Sequence, residues 1–112
     1  MEGPHRRLIA KNRISMKQLT PNELKAWTAS GKDFMLIDIR EDWERTAYNV
    51  GGLHIPLGEL MGRVNELPKD KDVVLYCEKG IRSVIAIQRL EDAGFHNLFN
   101  LSGGMKAWKQ SQ

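Results

Sequence analysis

The chain has one cysteine, Cys77, and that scarcity excludes two classes at once. No internal disulfide framework can form, and no zinc site built on paired cysteines is possible, so the expectation is a reducing, cytoplasmic setting; separately, no metal or cofactor is expected. Long apolar runs are missing too. None approaches the ~18 residues that a membrane helix needs, and Met1 to Asn12 carries charges without the apolar core of a secretory signal. Charge of one sign is lacking once the chain is divided. The net charge is +3, but residues 1–18 hold Arg6, Arg7, Lys11, Arg13 and Lys17 against Glu2, leaving 12 positive and 13 negative side chains over residues 19–112. A body so nearly neutral, with no aromatic-rich basic motif, gives no footprint for nucleic acid. The basicity belongs to a tail or linker over residues 1–13, and residues 14–112 are long enough for one domain with one core.

What is present centres on Leu75-Tyr76-Cys77-Glu78-Lys79-Gly80-Ile81-Arg82-Ser83. An apolar run, Val73 to Tyr76, ends in the cysteine, and after a short loop a mostly apolar, helix-like run extends from Val84 to Ala93. A tight loop entering a helix N-terminus aims several unpaired N–H groups at one spot, where the helix dipole adds roughly half a positive charge. Gly80 permits a positive φ there and Arg82 supplies a full charge. An ordinary thiol, with a pKa near ~8.5, is about 3% ionised at pH 7, whereas a thiol at a helix N-terminus beside a cation can fall below ~7. A lone cysteine at a strand end is commonly a small core residue. The glycine and the Arg-Ser pair at fixed offsets point instead to a reactive thiolate that needs no general base.

The rest of the chain reads as alternating strands and helices. Ile14-Ser15-Met16 predicts a short strand. Thr20-Pro21-Asn22-Glu23 is a capping box with proline at the first helical position and Gly31 as a stop, giving a helix over residues 21–30. Trp27 on it reads as core. Asp33 to Arg40 predicts a strand apolar on both faces, as in a parallel sheet covered on both sides, and Glu41-Asp42-Trp43-Glu44 begins a helical turn. Asp38 and Arg40 fall at the carboxyl end of that strand, the edge where such sheets place their sites, so they read either as an ion pair holding loops or as substrate contacts. Gly51-Gly52-Leu53-His54-Ile55-Pro56 gives a turn and a very short strand, with His54 as a structural histidine. Leu57, Leu60, Met61, Val64 and Leu67 have helical spacing up to Pro68. Gly94 stops the next helix, Asn97 to Leu101 is a fifth strand, and Ser102-Gly103-Gly104 turns into a last helix bearing Met105 and Trp108. The pattern predicts an α/β sandwich of mainly parallel strands.

Three separated pieces carry a family resemblance: Leu36-Ile37-Asp38-Ile39-Arg40-Glu41 with Trp43 behind it, the loop Cys77 to Ser83, and Leu101-Ser102-Gly103-Gly104-Met105-Lys106-Ala107-Trp108. Over about Ile14 to Trp108 the chain resembles a single-domain rhodanese, a sulfurtransferase module. Gly51 to Leu60 looks in particular like the rhodanese modules behind adenylyltransferases that activate sulfur-carrier proteins for molybdopterin or thiamine synthesis. The resemblance implies a five-stranded sheet between helices, with Cys77 as the covalent carrier. Its thiolate takes a sulfane sulfur from thiosulfate or a persulfide-bearing protein, and cyanide in the assay or a thiol in the cell removes it. Glu78, Lys79, Gly80, Ile81, Arg82 and Ser83 would form the cradle, Ser83 would cap the helix, and Asp38 and Arg40 would support it. Glu78 departs from a purely basic loop and weakens attraction for an anionic donor, which favours a protein persulfide.

Two rivals use the same fold. Cysteine phosphatases and arsenate reductases clamp an oxyanion with arginine, but the related phosphatases carry five residues between cysteine and arginine where this chain has four, and the loop has no aspartate to act as general acid. Non-catalytic interaction modules of this fold usually lack the cysteine that this chain keeps.

Overall fold

The computed structural model describes residues 16–112. Its elements in order are β1 (Lys17–Leu19), α1 (Pro21–Ala29), β2 (Phe34–Asp38), α2 (Asp42–Ala47), β3 (Leu53–His54), α3 (Leu57–Leu60), a 3₁₀ segment (Met61–Glu66), β4 (Asp72–Tyr76), α4 (Arg82–Asp92), β5 (Leu98–Leu101) and α5 (Gly104–Gln110). The five strands form one sheet in the order β1-β5-β4-β2-β3, and every neighbouring pair is parallel. The α/β expectation therefore holds, with β4 at the centre.

Two apolar layers explain why β2 and β4 lack polar alternation. Along β4 and just past it, Val73, Leu75 and Cys77 enter a core with Ile37, Leu60, Ala86, Ile87 and Leu90, on the side of α3 and α4. Val74 and Tyr76 enter the opposite core with Leu24, Leu101 and Met105, on the side of α1 and α5. Successive strand residues point to opposite faces, so a strand covered on both must be apolar throughout. Trp27 lies in the second layer, edge-on to Phe34 and Phe99 at 5.4 and 5.1 Å between ring centres, as its core reading requires.

The capping box forms as read: Glu23 N–H donates to Thr20 Oγ1 at 3.1 Å and Thr20 N–H to Glu23 Oε1 at 2.8 Å. Several boundaries differ, three of them with consequences for the fold. The first strand lies at Lys17–Leu19, after the predicted 14–16; Ile14 and Ser15 fall outside the described residues, and the edge position needs only Leu19 to be buried. The helix predicted up to Leu67 stops at Leu60 and tightens into the 3₁₀ segment, where Arg63 leaves helical geometry (φ −124°, ψ 23°) while binding both Glu59 and Glu66. The central helix starts at Arg82, two residues before the predicted Val84, which moves Arg82 and Ser83 out of the loop into its first turn.

Candidate active site

Parallel strands bring all their carboxyl ends to one edge, and there β2, β4 and β5 release Ile39, Cys77 and Ser102 side by side. Cys77 is 1% exposed at the end of the central strand. Its Sγ accepts the N–H of Gly80 at 3.1 Å and the N–H of Ser83 at 3.4 Å, and lies 3.4 Å from Ser83 Oγ. Ile81, the residue before α4, provides no side-chain cap. The sulfur itself therefore stands where an N-cap acceptor stands in other helices, at the positive end of the helix dipole. Ser83 does not cap the helix as expected from the sequence. It is buried in the first turn, and its hydroxyl donates to Asn100 Oδ1 on β5.

The loop is held from two sides. Gly80 has φ +86°, the left-handed region, which bends the chain back so that its N–H faces Sγ. From outside, the first turn of α5 donates Met105 N–H to Cys77 O and Lys106 N–H to Glu78 O, both at 2.9 Å. The approach requires Gly104: a Cβ there would lie 2.5 Å from Cys77 O and 2.7 Å from Glu78 C and O. Asn100 completes the support by donating from Nδ2 to Gln18 Oε1 at 3.1 Å and, more weakly, to Gly80 O at 3.4 Å.

Asp38 and Arg40 are brought together as a buried ion pair, with Nε to Oδ1 and Nη2 to Oδ2 both 3.0 Å. Burial alone would raise the Asp38 carboxyl, but the hydrogen bonds from Arg40 outweigh it and hold the pKa below the usual carboxylate value. Arg40 also reaches Tyr48 O at 2.6 Å and Glu78 Oε1 at 3.4 Å, and its guanidinium lies over the Tyr76 ring. Burial, with the Asp38 charge next, pushes the Tyr76 hydroxyl up to about 12. The pair thus ties the β2 loop to the residue after the cysteine. Arg82 places both arms on Glu44, at 2.8 and 2.7 Å. That bidentate bond is the foremost reason its own pKa is raised, with the Cys77 charge contributing, and it drops Glu44 to about 2. Lys79 and Ile81 are exposed on the loop. His54 Nε2 donates to Arg40 O at 2.7 Å, and His54 is not among the hydrogen-bond partners of Cys77 Sγ, in keeping with a structural role.

Residues 20–111 match the model of the rhodanese-like domain. The chain belongs to the rhodanese-like family. A putative sulfurtransferase of Bacillus subtilis, YtwF, is 32% identical over 97 residues, covering 86% of this rhodanese-like chain and 93% of that protein. The probable adenylyltransferase/sulfurtransferase MoeZ of Mycobacterium tuberculosis is 37% identical over 98 residues, 84% of this chain but only 25% of that much longer protein. Among solved structures, a rhodanese-like domain protein from Staphylococcus aureus superposes with a TM-score of 0.77 at 31% identity, covering 83% of this chain and 91% of that one. Among the described residues no helix is long and apolar enough to cross a membrane.

Two members of this rhodanese-like site were not singled out from the sequence. Glu44 was visible only as part of an acidic cluster, and its partner lies 38 residues on. Asn100 carried a signal that was available: a lone amide inside the apolar strand Leu98-Phe99-Asn100-Leu101, which a buried strand tolerates only with partners waiting.

Proposed function

We propose that this rhodanese-like domain is a sulfurtransferase in which Cys77 carries a sulfane sulfur as a persulfide, taking it from thiosulfate or a protein persulfide and passing it to cyanide or a thiol. The observation that carries the reading is the cradle: two backbone amides converge on Sγ at 3.1 and 3.4 Å, and among the described residues no carboxylate or imidazole hydrogen-bonds to it. Such a cradle suits an anion that alternates between thiolate and persulfide, because fixed N–H dipoles stabilise either form without a proton transfer. The thiolate attacks the donor's outer sulfur, a new S–S bond forms, the donor's bond to that sulfur breaks, and its remainder leaves with the electron pair. The acceptor then attacks the outer sulfur and returns the thiolate. Relatives named as sulfurtransferases support this reading, and one named as a putative sulfur carrier protein, 31% identical over 101 residues, supports a protein partner in the pathway. A free thiol in this role fits the reducing cytoplasm.

Phosphoryl or arsenate chemistry finds less support, since it asks Arg82 to clamp a tetrahedral oxyanion and both arms of that guanidinium are on Glu44. Intact-protein mass spectrometry tests the proposal. Thiosulfate or a persulfide donor adds one sulfur, about 32 Da, to the wild type, cyanide removes it, and Cys77→Ser takes none. Turnover of an aryl phosphate or arsenate without any sulfur on Cys77 would instead establish the oxyanion reading.

A further inference from the structure

The arginines at this edge of the sheet would be natural receivers for a sulfur oxyanion, since a guanidinium fork matches such groups in two-point contact. Each is already matched. Arg82 spends its fork on Glu44. Arg40 is divided among Asp38, Tyr48 O and Glu78. Arg45 bonds Asp38 and the carbonyls of Gly51 and Gly52. Of the loop's own charges, Lys79 faces solvent and Glu78 offsets it. The sulfur is therefore held by neutral amides, and the three arginines nearby are all engaged by the carboxylates of Asp38, Glu44 and Glu78.

We infer that Glu44 and Glu78 set the charge selectivity of the site: by occupying Arg82 and Arg40 they disfavour a doubly charged donor such as thiosulfate and leave the cradle to donors of low charge, a persulfide carried on a thiol. This rests on Cys77 being the sulfur carrier. With thiosulfate, the Cys77 thiolate attacks the outer sulfur and sulfite departs as a dianion. With methanethiosulfonate the same S–S bond forms, the same S–S bond breaks, and methanesulfinate departs as a monoanion. With a thiol persulfide, a thiolate departs. The first two donors deliver the same sulfur and differ by one unit of charge, which isolates the effect.

The test is the ratio of kcat/KM for thiosulfate to that for methanethiosulfonate in the wild type, Glu44→Gln and Glu78→Gln, with cyanide as acceptor. Glutamine at 44 keeps an oxygen for the Glu41 N–H it now accepts at 3.0 Å, so the turn before α2 is retained, which circular dichroism verifies. Removing one carboxylate within a Debye length of the donor raises the ratio about three- to tenfold in each variant, chiefly through a lower KM for thiosulfate, and the gain shrinks as salt is raised. Glu59→Gln, which alters a solvent-exposed ion pair with Arg63, leaves the ratio unchanged. A ratio that stays flat or falls in both folded variants, while Cys77 still gains about 32 Da, overturns the selectivity and spares the carrier. A wild type that takes sulfur from neither of these donors nor from a thiol persulfide removes the carrier and the selectivity together.

Discussion

Gly104→Ala isolates the grip of α5 on the Cys77 loop. Gly104 has φ +62°, where a side chain costs roughly 1–2 kcal/mol. The added Cβ would meet three backbone atoms at 2.5–2.7 Å, and backbone cannot swing aside as a side-chain tip can. Relief requires α5 to withdraw by several tenths of an ångström. That stretches two bonds now at 2.9 Å, Met105 N–H to Cys77 O and Lys106 N–H to Glu78 O, each contributing about 0.5–1.5 kcal/mol. The sum is about 2–5 kcal/mol, centred near 3–4, out of the ~5–15 typical of a domain, and at that centre the protein still folds at room temperature. At roughly 4–8 °C per kcal/mol for a domain of this size, the melting temperature falls by about 12–30 °C. The loop amides shift with the loop, and a displacement approaching 1 Å costs on the order of a hundredfold in sulfur transfer. Thermal melts by circular dichroism and single-turnover loading of Cys77, followed by mass, measure both. Gly58→Ala is the control, because a Cβ there meets nothing within 4 Å and the backbone is unstrained. A Gly104→Ala protein that melts within about 2 °C of the wild type and loads at the same rate would refute the reasoning.

Three further outcomes follow from the same contacts. Glu44 titrates at about 2 against an ordinary 4.5, so its bond to Arg82 contributes stability that is complete above pH 4.5 and is lost as pH falls towards 2. The shift corresponds to about 3 kcal/mol, and the partial exposure of Arg82 reduces this to about 1–2, so urea melts of the wild type and Glu44→Gln differ by that amount at pH 7 and converge by about pH 2. Asn100→Ala leaves the buried Ser83 hydroxyl without its acceptor and costs about 1–3 kcal/mol by denaturant melt. An unchanged midpoint would mean that the loop is held without β5. Asp38→Asn leaves the buried Arg40 with only its longer contact to Glu78 at 3.4 Å and costs up to about 3–5 kcal/mol, whereas Asp38→Asn paired with Arg40→Met recovers most of that loss in the same assay.

How much of this was legible in the sequence follows the separation of the contacts. Cys77, Gly80 and Ser83 lie within seven residues, so strand, turn and helix start were readable as one motif, as was the capping box of Thr20 and Glu23. The two-faced apolar strands gave the parallel, covered sheet. The ion pair of Asp38 and Arg40 was one of two open readings, and only geometry shows the pair facing each other and Glu78. What joins Glu44 to Arg82 or Asn100 to Ser83 spans 38 and 17 residues, and no periodicity encodes such a meeting. The role of Ser83 was misread for the same reason: a serine at a helix start ordinarily caps, but here the sulfur already occupies that place and β5 supplies the hydroxyl with an acceptor. The 3₁₀ segment escaped because apolar spacing is nearly the same for one turn of either helix type.

The grip of residues 105 and 106 on the loop at 77 and 78 also fixes an order of events in the life of the molecule. A ribosome delivers Cys77 before it delivers the turn that clasps it. At some 5–20 residues per second, more than a second separates the cysteine from residue 106. During that interval α5 cannot hold the loop, and β5 cannot yet complete its pairing with β4. The cradle proposed for the nucleophile is thus finished only with the fold, so that a chain stalled or clipped before α5 carries the cysteine without the contacts that clasp its loop.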